Sequence, residues 1–140
     1  MIHAVAPRSA RMMPWLLALY AAASLLHFTH NAEFLAEYPN LPAAWTRADI
    51  YLAWSCVTAI GVFGYALYRR GLRRIGLAVL GIYGALGLDA LLHYTRAPLA
   101  HHSAAMNFTI LTEAVAAAVL LINLASVTTW IMRVNAKAIV

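Results

Sequence analysis

Thiol chemistry is nearly absent from this chain: one cysteine, Cys56, stands among 140 residues. A lone cysteine excludes an internal disulfide and every cysteine-based metal framework, and the Cys-x-x-Cys-His signature of covalent haem attachment is missing too. Cys56 falls in an apolar run with Ser55 and Thr58, where packing is its expected role. Charge is also scarce. Charged residues make up 11% of the chain and hydrophobic ones 64%, whereas a soluble domain carries about 25% charged residues. With a mean hydropathy of +0.73, this composition is that of an integral membrane protein. The net charge of +5 would attract nucleic acid in a soluble domain. Here the basic residues flank apolar runs, which is how membrane topology is encoded, so no nucleic-acid partner is expected. There is no repeat, low-complexity tract or linker, and the length fits one domain.

What is present is four apolar segments. They predict an all-α, four-helix up-down transmembrane bundle, a single domain over 1–140 with helices at about 12–30, 47–70, 75–94 and 105–132. The first segment follows Arg8 and Arg11 and holds Ala21-Ala22-Ala23-Ser24, a pattern that a secretory signal peptide would share. Its removal would leave three spans and an unbalanced topology, so a retained helix is expected, short enough to need tilt or local thinning. Pro39 and Pro42, with Tyr38 and Trp45, mark an interfacial loop. Thr46-Arg47-Ala48-Asp49 reads as a capping box opening the second helix. Arg69-Arg70-Gly71-Leu72-Arg73-Arg74 is a basic turn, and Gly81 with Ala85 forms a small-xxx-small pair for close helix packing.

Charge asymmetry predicts the orientation. Arg8, Arg11, Arg69, Arg70, Arg73, Arg74, Arg133 and Lys137 lie on one side, and only Arg47 and Arg96 on the other. Both termini are therefore expected in the cytoplasm, in a bacterial-type inner (plasma) membrane. All five acids (Glu33, Glu37, Asp49, Asp89 and Glu113) and five of the six histidines fall on the opposite, extracytoplasmic side, with His3 the exception. Acids contribute little to orientation, so a site explains this clustering better than topology does.

The candidate site is built from His27, His30, Glu33, Asp89, His93, His101, His102 and Glu113. Asp89 and Glu113 sit about 9 Å inside their helix ends, at a depth where ionisable residues usually face a bundle interior or a wet cavity. In α-helices, His27 and His30 are one turn apart and Asp89 and His93 share a face. His30 is expected to point at the common centre. Imidazole and carboxylate without thiolate suit a divalent metal such as zinc, iron or copper. The histidines would be nitrogen ligands, with Glu33, Asp89 and Glu113 as oxygen ligands; Asp89 and Glu113 could instead orient imidazoles or act as the catalytic base.

Such a site would hydrolyse or oxidise a lipid-like molecule entering from the bilayer. The arrangement is similar in kind to integral-membrane zinc hydrolases that cleave lipids, but it does not match their motifs in order and spacing. Alternatives are delivery of metal to another membrane protein, a structural subunit of a membrane complex, and non-covalent haem between His27 and His93. A transport path is disfavoured, because no charged residue continues into the other half of any helix.

Overall fold

The computed structural model describes residues 7–137. His3 lies outside them. Helix α1 spans Arg8–Glu33 and α2 Arg47–Arg69. The third span begins as α3, Arg73–Leu86, tightens into a 3-10 stretch at Gly87–Leu92, and ends in a single turn, α4, His93–Arg96. Helix α5 runs from Ala104 to Lys137. These make four spans long and apolar enough to cross a membrane, which points to a membrane protein. Large apolar side chains such as Leu52, Val62, Phe63, Val115 and Ile122 face outward, as a lipid-facing surface requires.

The helix boundaries follow local chemistry. The expected capping box is present: Asp49 N–H donates to Thr46 Oγ1 at 3.3 Å, and Thr46 N–H to Asp49 Oδ2 at 2.9 Å. Helix α2 stops at Gly71, whose φ of +92° would strain any side chain, while Leu72 N–H closes back on Leu67 O at 3.1 Å. The first helix is not short. It opens just after Pro7, whose carbonyl accepts from Ala10 N–H at 3.1 Å, and it carries Pro14 in its interior. Its 26 residues measure about 39 Å, so the expected thinning is unnecessary.

The core is a three-helix affair. Met13, Tyr20 and Ala23 of α1 meet Leu77, Leu80 and Tyr83 of α3 and Ala117, Leu120, Leu124 and Val127 of α5. Helix α2 buries only Ile50, Gly61 and Gly64, and it packs on α3 and α1 from outside. Contact partners show antiparallel neighbours: Gly61 lies under Tyr83 and Gly64 against Leu80, while His27 of α1 meets Thr109 and Glu113 of α5. Up-down alternation therefore puts Arg8, Arg69–Arg74 and Arg133 at one end, here the basic end, and the histidines at the other.

The glycine expectation needs correcting. A Cβ on Gly81 would meet nothing within 4 Å, and Ala85 is exposed, so this pair makes no helix contact within the chain. Along the third span the close approaches are at Gly76, Gly84 and Gly87. Gly87 faces the ring of Tyr20, whose hydroxyl donates to the Tyr83 carbonyl at 3.2 Å.

Candidate functional site

At the histidine end a cleft of about 280 Å³ opens between α1, α2, the third span and α5. Its apolar lining includes Leu41, Trp45, Ile50, Leu86 and Leu92. Its polar groups are His27 and Asn31 of α1, His93, Asp89 and Arg96 of the third span, and Glu113 of α5. Above it the two loops are clasped: Asn40 Nδ2 donates to Arg96 O at 2.8 Å and Arg96 Nη1 returns a bond to Asn40 O at 3.3 Å. Asn40 takes φ +57°, a conformation that asparagine tolerates better than most residues.

His27 and Glu113 are 3% and 2% exposed, which makes them the buried pair of the site. The proton positions around His27 follow from its neighbours. Thr109 spends its one hydroxyl proton on the Met106 carbonyl at 3.0 Å. Its oxygen therefore accepts from His27 Nδ1–H at 3.3 Å, which fixes the neutral tautomer and leaves a lone pair on Nε2. That lone pair faces Glu113 Oε2 across 3.9 Å, and Oε2 has no other hydrogen-bond partner. The His27 ring nitrogen and the Glu113 carboxyl thus face each other in a buried place, just beyond hydrogen-bond distance. Asn31 bonds His93 Nε2 through its side-chain amide at 3.3 Å, and Asn31 Oδ1 and His93 Nδ1 are left without partners.

The structure divides the expected residues. His27, His93 and Glu113 come together, with the His27 and His93 rings 5.3 Å apart and edge to face. That contact leaves no slot for a porphyrin between these two rings, so the His27–His93 haem pairing is not accommodated. His30, expected at the centre, turns aside to Tyr38, with Nδ1 2.9 Å from the phenol oxygen. Burial pushes the Tyr38 phenol up to about 12, so it keeps its proton and donates to His30. Glu33 leaves the site altogether: it pairs with Arg47 at 3.1 Å and accepts from Tyr51 at 3.0 Å on the surface.

Asp89 lies exposed on the cleft wall rather than stacked with His93. Four residues apart, the two would be about 40° apart around an α-helix but about 120° apart in a 3-10 helix, and the chain is 3-10 there. His101 is exposed on the loop. His102 is buried beside His93, at 6.2 Å between rings, and its Nδ1–H donates to Pro98 O at 3.2 Å. Among the described residues, no group of three or more His, Cys, Asp and Glu side chains is disposed to hold a metal ion.

Asn31 was the residue to find in the sequence. It is four residues beyond His27, on the same helical face, whereas His30 is displaced to the side. Compared with known protein families, curated proteins and solved structures, the chain matches none.

Proposed function

We propose that this is an integral membrane protein that binds an amphipathic small molecule through a hydrogen-bond-donating head, a hydroxyl or an amine. The observation that supports the reading is the facing pair, His27 Nε2 and Glu113 Oε2, 3.9 Å apart with no hydrogen bond between them. An amine head has protons enough for both, while a hydroxyl donates to one and accepts at its own oxygen, and Asn31 Oδ1 adds a further unpartnered acceptor on the same wall. The apolar lining suits the ligand's hydrocarbon body. Eight basic residues against two orient the termini to the cytoplasm and the cleft to the extracytoplasmic side of a bacterial-type inner membrane. His27 and Glu113 would also be placed to exchange a proton with a bound head, so enzymatic turnover is one form this binding can take.

The test is a thermal-shift series on detergent-purified protein with dodecanol, dodecylamine and dodecyl methyl ether. The alcohol or the amine stabilises the protein, the ether does not, and the effect disappears in Glu113→Ala. Equal shifts from all three would reduce the cleft to an apolar crevice and refute the reading. A second reading, a divalent metal on His27, Glu113 and His93, would require these side chains to draw together from their present positions, and one feature favours it. Thr109 anchors His27 through Nδ1–H, as hydrogen-bonded neighbours anchor metal-ligating imidazoles. Stoichiometric zinc, iron or copper by elemental analysis, lost in His27→Ala, would establish it in place of the first.

A further inference from the structure

The opposite end of the molecule carries a feature that the cleft does not use. Arg73 and Arg74 open α3, and two adjoining grooves meet at Arg74 and Ile131, between α3 and α5. One groove, of about 450 Å³, is apolar beneath Arg74, lined by Leu77, Ala78, Ile131 and Met132. The other is the basic mouth, where Arg73 and Arg74 stand with Asn135. Among the described residues no carboxylate lies within ion-pair distance of either arginine. Asp89 and Glu113 sit in the cleft wall, and Glu33, Glu37 and Asp49 lie at the far ends of α1 and α2 and in the connection between them.

We infer that this groove is a binding site for one anionic phospholipid, its phosphate on Arg73 and Arg74 and one acyl chain along Leu77 and Ile131. Charge complementarity selects the occupant. Arginine forks match phosphate geometry, and the apolar floor directly beneath them matches a chain that descends into the bilayer. A soluble anion would use the arginines but leave the floor uncovered. A zwitterionic lipid would cover the floor, but its own cation would offset the attraction. Topology alone requires basic residues at this end but requires no groove between α3 and α5 beneath two of them. Arg69 and Arg70 provide the internal comparison. They belong to the same basic turn, yet neither lines the groove, and Arg69 lies over the Tyr65 ring instead.

Trp130 is adjacent to Ile131 on α5 and half-buried, so it can report on the groove. Single-tryptophan protein, with Trp15, Trp45 and Trp54 replaced by Phe, is reconstituted into bilayers containing brominated phosphatidylglycerol or brominated phosphatidylcholine. Quenching of Trp130 should show a preference of at least about threefold for the anionic lipid. Arg73→Gln/Arg74→Gln should bring that preference close to one, while Arg69→Gln/Arg70→Gln should keep most of it. All four side chains are exposed, so the variants fold. A second single-tryptophan protein retaining Trp45, at the histidine end, should show no preference. No preference at Trp130, or equal loss from both arginine pairs, would overturn the inference: the first removes the site, and the second reduces it to diffuse attraction by the basic turn.

Discussion

Replacing Gly76 by alanine should destabilise the bundle, whereas the same change at Gly81 should not. The two glycines are five residues apart on α3, and they differ in what a methyl group would meet. At Gly76 the new Cβ would lie 2.5 Å from Tyr68 N and 2.8 Å from Gly64 O, both backbone atoms of α2. Backbone cannot rotate away as a side chain can, so the two helices must separate. Overpacking of this kind costs about 1–3 kcal/mol, and a backbone clash belongs at the upper end. Better helix propensity returns at most about 1 kcal/mol, leaving a net loss of about 2 kcal/mol. At Gly81 the methyl meets nothing, so only the propensity gain applies, between zero and about 1 kcal/mol. Titration with SDS in mixed micelles, followed by far-UV circular dichroism, measures both. Two variants within about 0.5 kcal/mol of each other would refute the packing argument and return Gly81 to the helix interface.

Thr46→Ala removes the reciprocal cap of α2 and should lower stability by about 1 kcal/mol in the same titration. Glu33→Gln breaks only an exposed pair, so it should change stability by less than about 1 kcal/mol and leave ligand-induced thermal shifts unaltered. Tyr38 titrates higher in the folded protein than the ordinary value of 10.0. The stability it contributes is complete below pH 10 and is lost as the pH rises toward about 12, at up to about 1.4 kcal/mol per pH unit. Tyr38→Phe should therefore flatten the alkaline limb of an unfolding-versus-pH curve, and an unchanged limb would assign that limb to other tyrosines.

Much of the architecture was readable from residue order. Four apolar runs, the Thr46–Asp49 box and the basic turn at Gly71 are local features, each decided by residues within one helical turn or one hydrophobic run. Gathering histidines and acids at one end was legible for the same reason, since alternating spans leave two ends to choose from. What was not legible depended on neighbours far along the chain. Whether Gly81 or Gly76 faces α2 is a rotation of α3 about its axis, set by the Tyr68 and Gly64 backbone. Whether His30 or His27 enters the centre depends on Tyr38 capturing His30 from the loop. Glu33 was lost to Arg47, a partner that linear spacing does not mark as a neighbour.

The position of the cleft follows from where close packing stops. Gly61, Gly64, Gly76, Gly84 and Gly87 each bring a neighbouring helix within reach of a missing Cβ, and all lie at mid-bundle or toward the basic end. No glycine follows Gly87 in the chain, and none precedes Gly61, so no such close approach forms beside His27, His93 and Glu113, where α2 is held to α1 through Arg47 and Tyr51 on Glu33 instead. The third span responds at that level. Just past Leu86 it leaves α-helical geometry, which carries Asp89 away from the face that His93 occupies. An ordinary α-helix would have stacked the two and closed an ion pair across the helix face. The 3-10 stretch instead leaves His93 facing His27, with the Glu113 carboxylate still unpartnered at Oε2. Beside the bonds from His27 to Thr109 and from Asn31 to His93, Ser24 Oγ, Asn31 Oδ1, His93 Nδ1 and Glu113 Oε2 are thus left without partners within the chain. An internal network built only for stability would pair its members, because an unpaired buried acceptor costs about 1–3 kcal/mol. The unmet groups at this wall, the Ser24 hydroxyl and His93 Nδ1 as well as Asn31 Oδ1 and Glu113 Oε2, are therefore better explained by a polar guest head than by helix packing.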